Sequence, residues 1–170
     1  NPTLNSLDRI KDLMNLWNDF SFAIWCNTTV DYSFPEANIK YFFLSPKNVG
    51  LGAPLKAIGK AAHMYSYDYM FYLDQDTIFS VNHKYKILEV CSFLDCNPSH
   101  AAATFISKSF DPPYQICDCS INSGTIFKVS ALNAIGYHSD KLFLDCVDFD
   151  ISLKFKIKNF SIFHVSAFEY

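Results

Sequence analysis

Arginine is nearly absent from this sequence, since Arg9 is the only one in 170 residues. Arginine is the side chain that grips phosphate groups with two parallel hydrogen bonds. A phosphorylated ligand would therefore depend on a metal ion, on backbone N–H groups and on lysines. The formal net charge is −3, and an acidic chain is a poor match for a nucleic-acid backbone. Nucleic acid is therefore not expected as a partner.

Long apolar runs and paired cysteine motifs are missing as well. No run reaches the roughly eighteen residues of a membrane span, and no secretory signal is visible. The chain starts at Asn1-Pro2 without a methionine, so we expect it to be part of a longer protein. The cysteines form no C-x-x-C pair and lie mostly in apolar segments, which indicates reduced core thiols of a cytoplasmic protein. A zinc site at Cys117 and Cys119 is the alternative, although no zinc-finger spacing supports it.

The hydrophobic content predicts one folded domain that spans residues 1–170. Half of the residues are hydrophobic and 17% are aromatic, enough for a substantial core. Strand and helix patterns alternate through the first half and are less regular in the second half. Alternation of this kind is typical of an α/β fold with a mostly parallel sheet flanked by helices. The predicted strands span residues 20–26, 39–44, 69–73, 101–106, 114–120, 125–129 and 160–165, and the predicted helices 7–17, 54–65, 84–95, 130–135 and 149–158.

The first predicted element is a helix, so the strand that should open the first βαβ unit is missing. A doubly wound sheet places that strand centrally, and its absence would leave two inner edges unpaired. We infer that the opening strand precedes Asn1. The other explanation is that another segment fills its place.

The stretch from Tyr69 to Thr77 is the most informative part of the sequence. Five apolar or aromatic residues run without a charge and end in Asp74 and Asp76. Such a run suits a strand covered on both faces, and open α/β folds bind ligands where such strands end. Two neighbouring carboxylates are stabilised by a divalent cation that carries a phosphorylated ligand. The alternative is that both aspartates only cap the turn that follows.

Several further segments accompany this stretch along the chain. Asn48-Val49-Gly50 precedes it, and Asn122-Ser123-Gly124-Thr125-Ile126-Phe127 follows it. Residues 131–137 and 142–151 complete the set. Together with Leu73-Asp74-Gln75-Asp76 they resemble the inverting GT-A glycosyltransferases of family two, most closely the rhamnosyltransferase-like branch. The resemblance implies a Rossmann-like GT-A fold with a nucleotide-sugar-binding part at about residues 1–80 and an acceptor and catalytic part at about 81–170.

The resemblance also implies a mechanism. Asp76, with Asp74 behind it, would hold Mg²⁺ or Mn²⁺ against the donor diphosphate. Asp148 matches the general base, which removes a proton from the acceptor hydroxyl as its oxygen attacks the anomeric carbon. Asp145 and Asp150 are alternatives in the same segment. All three could instead serve only to stabilise the start of a helix through its dipole.

The nucleotide-binding positions match the family only in part. Asn27 and Asn48 match, and the resemblance makes them, with Asp74 and Asp76, nucleotide-sugar-binding residues. The acid expected before Asn27 is replaced by Cys26. Three further departures are a lysine, Lys56, in the loop after Asn48, Lys154 in place of an arginine, and His164, which comes too early to match a metal-binding histidine.

The resemblance therefore implies a metal-dependent inverting glycosyltransferase. It would transfer a sugar from dTDP-rhamnose or a UDP-sugar to a glycan or lipid-linked acceptor in cell-surface polysaccharide synthesis. We expect it in the cytoplasm, with peripheral association at the inner face of the membrane through regions outside this chain. The alternatives are a nucleotide-sugar-binding module that has lost catalysis, a nucleotidyltransferase on a related fold, and a plain interaction domain.

Overall fold

The computed structural model describes residues 4–27, 39–74, 77 and 81–166. All helices and strands predicted from the sequence are present, with shifted ends. The helices are α1 (Leu4–Leu16), α2 (Gly52–Met64), α3 (Val81–Asp95), α4 (Val129–Ala134) and α5 (Val147–Ile157). The strands are β1 (Phe22–Cys26), β2 (Ile39–Leu44), β3 (Tyr69–Tyr72), β4 (His100–Ile106), β5 (Tyr114–Cys117), β6 (Thr125–Lys128) and β7 (Ser161–Ser166).

The strands form two sheets. β1 and β2 pair in parallel, and the other five strands form a sheet in the order β3-β6-β4-β7-β5. Within the described residues the second sheet is more mixed than the mostly parallel sheet that was expected. β4 and β7 are parallel, whereas β6 runs antiparallel to both β3 and β4, and β5 runs antiparallel to β7. Side-chain periodicity identifies a strand but does not encode its direction, and the irregular second half of the chain supplies the antiparallel strands.

Within the described residues, the two sheets are not hydrogen-bonded to each other. Among the described residues, β1 pairs only with β2, and β3 pairs only with β6. The same aromatic cluster nevertheless joins them, because Trp17 stacks on Phe71 with a ring separation of 6.1 Å and Phe22 packs against that cluster. The expectation of an opening strand before Asn1 stays a prediction.

Helices cover both faces of the five-stranded sheet. Successive strand residues such as Ile126 and Phe127 enter different cores, as the two-residue period of a strand requires. Phe127 packs in the core formed with α2, α4 and α5, which includes Leu55, Leu132 and Phe155. Ile126 packs in the core formed with α1 and α3, which includes Trp17, Ile87, Val90 and Leu94. The α/β class with flanking helices is therefore confirmed.

The cysteines are all free, but they are not all core residues. Cys26 is buried, while Cys96 and Cys146 are exposed. The expectation of core thiols is therefore wrong for these two, because their segments lie at the end of α3 and the start of α5. Nowhere in the described ranges does a helix have both the length and the apolar character needed to cross a bilayer.

Candidate functional site

The segment Asn122-Ser123-Gly124 lies beside the end of β3. Thr125 pairs with Tyr72, and the Gly124 N–H donates to the Tyr72 carbonyl at 2.9 Å. Gly124 has a φ of +75°, in the left-handed region that favours glycine, and this turns the chain into β6. The turn places the polar residues before Gly124 next to Asp74, which follows β3.

Ser123 contacts the segment after β3. The Asp74 backbone N–H donates to Ser123 Oγ at 3.3 Å, and the Ser123 and Thr77 hydroxyls lie 2.8 Å apart. The Asp74 side chain is exposed, and one of its carboxylate oxygens accepts a hydrogen bond from the Tyr72 hydroxyl. Gln75 and Asp76 lie outside the described residues.

Asn122, the neighbour of Ser123, contacts the other predicted acid. Its backbone N–H donates to Asp148 Oδ1 at 2.9 Å. Partial burial raises the pKa of Asp148, the hydrogen bond from Asn122 opposes this, and the negative charge of Asp74 raises it further. Two consecutive residues thus bring together Asp148 and Asp74, the two described acids on which the predicted mechanism depends.

The other two acids of this segment are placed differently from Asp148. Asp150 forms an ion pair with Lys154 at 2.7 Å, and Asp145 is exposed. Lys154 also donates to the Tyr137 carbonyl at 3.0 Å, so this lysine ties the first turns of α5 to the loop after α4. Asp148 is therefore the acid of the three that the structure connects to the Asp74 side.

The burial of Asp148 does not come from its apolar neighbours in sequence. Phe143, Leu144 and Phe149 are each more than half exposed. Helical periodicity turns Phe149 to the outer face of α5, because Val147 and Ile151 take the buried face. This turn of α5 is instead covered by residues 120–122. The Asn122 N–H donates to Asp148, and the Ser120 N–H donates to the Ser152 hydroxyl at 3.3 Å.

Asn27 and Asn48 organise the loop that follows β2. Asn27 Nδ2 donates to the Gly50 carbonyl at 2.9 Å, and its Oδ1 accepts from the Val49 N–H at 3.1 Å. Asn48 Oδ1 accepts from the Gly50 N–H at 2.8 Å. Both amides are therefore engaged with backbone groups, and their predicted contact with nucleotide stays a prediction.

The same loop packs directly against the segment that leads to Asp148. The Leu51 N–H donates to the Phe143 carbonyl at 2.5 Å. A Cβ added to Gly50 would lie 2.0 Å from that carbonyl oxygen, and one added to Gly52 would lie 2.1 Å from the Ser139 carbonyl oxygen. Glycine at these positions thus allows the loop to approach the acidic segment.

Lys56 and Cys26 depart from the family pattern, and the structure gives each of them a structural role. Lys56 forms an ion pair with Asp140 at 2.9 Å. Cys26 is buried at the end of β1, where burial raises the pKa of its thiol, so an anionic contact in place of the expected acid is disfavoured. His164 lies within β7, as the sequence predicted, opposite Thr104 and Gln115.

A divalent cation fits the chemistry of the Asp74 side. Its exposed carboxylate is a hard oxygen ligand that solvent and a diphosphate can complement. A cation there would also offset the repulsion between Asp74 and Asp148. No group of three or more His, Cys, Asp or Glu side chains suited to a metal occurs among the described residues, so neither Cys117 with Cys119 nor Asp74 forms a complete protein cage there.

Sequence reasoning missed His138, because no motif surrounds it in the sequence. It is buried, and its Nε2 lies 3.1 Å from Asn122 Oδ1. Sixteen residues separate the two along the chain. No local pattern joins them, so no sequence signal marks the pair.

Comparison with known proteins gives matches at the level of structure alone. No protein-family model and no curated protein sequence matches this chain. Crystal structures of S. aureus TarS 1-349, without and with UDP, each have a TM-score of 0.61 at 16% identity and cover 97% of this chain. A further S. aureus TarS crystal structure has a TM-score of 0.57 at 15% identity, with 97% of this chain and 35% of that chain covered.

The chain spans 58% of the length of TarS 1-349. At this level of identity the similarity concerns the fold. The chain therefore has a mixed α/β fold of the GT-A type, as the sequence predicted.

Proposed function

We propose that this chain is the nucleotide-sugar-binding and catalytic part of an inverting glycosyltransferase. The observation that carries the proposal is the pair Asn122-Ser123, which holds the half-buried Asp148 and the exposed Asp74 at one end of the sheet. The fold shared with TarS, which has been crystallised with UDP, supports the same assignment. Binding and proton transfer would thus occur at adjacent positions.

Asp148 acts in this proposal as the general base. A carboxylate with a raised pKa accepts a proton more readily than an ordinary aspartate, which suits removal of the acceptor hydroxyl proton. The hydroxyl oxygen attacks the anomeric carbon from the face opposite the leaving nucleoside diphosphate, and the configuration inverts. When bound by Asp74 and Asp76, Mg²⁺ or Mn²⁺ would neutralise charge on the leaving diphosphate.

The finer assignments belong to the same proposal. We favour a UDP-sugar as donor, because the similar fold of TarS has been crystallised with UDP; dTDP-rhamnose is the donor that the rhamnosyltransferase-like branch implies. The acceptor is a glycan or lipid-linked glycan of cell-surface polysaccharide synthesis. The protein acts in the cytoplasm and associates with the inner membrane face through other regions.

A nucleotide-sugar-binding module without catalysis is the second candidate. Two observations favour it: Cys26 replaces an expected acid, and the Asn27 and Asn48 amides are already engaged with the loop. Such a module would bind a nucleoside diphosphate without turning over a nucleotide sugar.

Thermal stability of the full-length protein with UDP, dTDP, GDP and CDP, each with and without Mn²⁺, tests the binding step. A ligand present at about a hundred times its Kd stabilises a protein by about 2.7 kcal/mol, which raises Tm by several degrees. We expect a metal-dependent rise that Asp74→Ala and Asp76→Ala abolish. Asp145→Ala, which removes an exposed acid of the Asp148 segment, is the matched control and should keep the rise.

Turnover of the matching nucleotide sugar then separates the two candidates. Release of nucleoside diphosphate that depends on Asp148 supports the enzyme. Binding without release favours the module, and a protein that binds none of the four nucleotides contradicts both.

A further inference from the structure

Asn122 and His138 form a buried polar pair beneath the candidate base. Their relative exposures are 2% and 1%. The Asn122 backbone N–H contacts Asp148, its carbonyl accepts from the Thr125 N–H at 3.0 Å, and its side-chain Oδ1 lies 3.1 Å from His138 Nε2. The backbone and side chain of Asn122 are thus held from three directions, and the side-chain anchor is His138.

The protonation of His138 follows from its surroundings. Burial lowers the pKa of His138 to about 3, and the nearby Lys154 charge acts in the same direction. The ring is therefore neutral and carries one N–H. With the Asn122 amide oriented as in the structure, its Oδ1 can only accept, which assigns that proton to Nε2. Within the described part of the chain, Nδ1 has no hydrogen-bond partner, so the contact with Asn122 is the polar contact of this ring.

Packing alone does not account for a histidine at this position. The ring stands edge-on to Phe127, with centroids 5.4 Å apart, in a core that also contains Leu132. An apolar side chain would fill such a place without burying two ring nitrogens, whose burial is unfavourable unless they are hydrogen-bonded. The feature that distinguishes histidine here is the donor directed at Asn122.

We propose that His138 is a positioning residue that acts through Asn122 to fix the carboxylate of Asp148. If the Oδ1 anchor is lost, Asn122 can rotate, and its backbone N–H no longer points reliably at Asp148 Oδ1. The acid then loses both its orientation and a donor that stabilises its ionised form. The catalytic consequence rests on the proposed function, whereas the positioning itself does not.

Two substitutions in the full-length protein separate the donor from the shape of the ring. His138→Leu removes the donor and keeps an apolar side chain, whereas His138→Gln keeps an N–H donor that can reach Asn122 Oδ1. The ¹³C signal of the Asp148 carboxyl, followed by NMR across pH, reports the ionisation of this group without any assay of activity. We expect the Asp148 titration to move to higher pH in His138→Leu and to return to the wild-type midpoint in His138→Gln.

Turnover provides the second measurement if the protein proves to be a glycosyltransferase. We expect kcat of His138→Leu to fall about tenfold, less than the roughly 10²–10⁴-fold contribution of a complete general base. The KM for the nucleotide sugar should stay near the wild-type value, because the contacts of His138 that the structure describes are with Asn122 and Phe127, neither of which is a predicted nucleotide-sugar-binding residue. Leu132→Ala, which damages the same core without touching Asn122, should lower stability and leave kcat and the Asp148 titration unchanged.

The outcomes distinguish this inference from the proposed function. A shifted Asp148 titration in a protein without turnover keeps the positioning role and removes the enzyme. An unshifted titration in folded His138→Leu overturns the positioning role and leaves the enzyme intact. If His138→Leu does not fold, ¹⁵N spectra of the wild-type imidazole decide instead: the inference requires the Nε2–H tautomer, and an Nδ1–H tautomer overturns it.

Discussion

The side of the site that carries Asp148 is buried and anchored, whereas the side that carries Asp74 is exposed. Asp148 is half-buried and bonded to Asn122, which is itself fixed by His138. Asp74 is open to solvent, and it is hydrogen-bonded to the Tyr72 hydroxyl, Ser123 and the Thr77 N–H. The two acids are close enough for the charge of one to raise the pKa of the other.

This difference matches what each side has to do in the proposed reaction. A proton acceptor works best when its orientation is fixed before the substrate arrives. A carboxylate that meets a phosphorylated ligand through a cation can remain solvated until that ligand binds, because the ligand completes the coordination. In the proposed enzyme the Asp148 side would thus be ordered in advance, and the Asp74 side would be completed by its ligand.

Asp148→Asn should abolish proton transfer at the Asp148 side and leave nucleotide binding at the Asp74 side unchanged. The amide cannot accept the acceptor proton, although its oxygen can still receive the Asn122 N–H. We expect kcat to fall by about 10²–10⁴-fold, while the nucleotide-induced rise in Tm stays at the wild-type value. Steady-state kinetics and thermal shifts on the same preparation measure both quantities.

Asp145→Asn and Asp150→Asn are the matched variants for this experiment. Asp145 is exposed and Asp150 is paired with Lys154, so neither should lower kcat comparably. If Asp150→Asn lowered kcat as much as Asp148→Asn, Asp148 would not be distinguished as the base, and the proposal would be contradicted.

Acidic pH should lower the free energy of unfolding, because protonation of the buried His138 is unfavourable in the folded protein. Its pKa is about 3 in the folded protein against 6.5 as the ordinary value, so between these values the unfolded chain binds one more proton. The free energy of unfolding therefore falls as pH drops below about 6.5, by about 1.4 kcal/mol per pH unit from this group. Asp148 opposes the effect, because its raised pKa makes the folded state bind the additional proton at acidic pH.

His138→Gln removes the titrating ring, so its stability should fall less between pH 7 and pH 5. Urea unfolding at the two pH values measures the difference. His63→Gln, which replaces an exposed histidine of α2, is the matched control variant. Equal slopes in wild type and His138→Gln would show that the buried ring is not neutral.

Gly50→Ala should break the contact between the loop after β2 and the segment that leads to Asp148. Gly50 has a φ of +77°, and its added Cβ would lie 2.0 Å from the Phe143 carbonyl oxygen. We expect a loss of more than about 2 kcal/mol of unfolding free energy, because a left-handed conformation and a backbone clash combine. The nucleotide-induced rise in Tm should shrink as the loop moves.

Gly136→Ala isolates the conformational part of that loss. Gly136 has a φ of +79°, but an added Cβ would meet nothing within 4 Å. Its substitution should lower the unfolding free energy by about 1 kcal/mol and leave nucleotide binding unchanged. If both variants lose the same amount, the close approach of Gly50 to Phe143 carries no energetic weight.

Local patterns predicted the elements of the fold, and they did not predict how all the strands pair. The sequence predicted a strand at residues 125–129, and the structure places its successive residues Ile126 and Phe127 in different cores. Nothing in that period reveals that β6 inserts antiparallel between β3 and β4, because direction depends on connections distant in sequence. The GT-A class came from the order of several motifs and not from periodicity.

The residues of the candidate site were likewise predicted only in part from the sequence. The resemblance identified Asp74 and Asp148 separately, and the structure places them together through the consecutive residues Asn122 and Ser123. His138 escaped notice because its contact with Asn122 is formed by tertiary packing. The exposure of Phe149 also depends on which face of α5 meets the sheet, which the neighbouring Val147 and Ile151 decide.

Lys56→Met has the smallest expected effect, and it tests whether Lys56 belongs to the nucleotide-binding residues. A lysine at this position could contact a phosphate, yet Lys56 Nζ lies 2.9 Å from Asp140 at the surface. A partly exposed ion pair of this kind contributes little to stability, and methionine retains the apolar stem. We expect a small change in Tm and an unchanged Kd for the nucleoside diphosphate, measured by calorimetry with Mn²⁺ present. A tenfold weaker Kd would instead mean that Lys56 exchanges Asp140 for phosphate when the ligand binds, and the exposed side of the site would then extend to the first turns of α2.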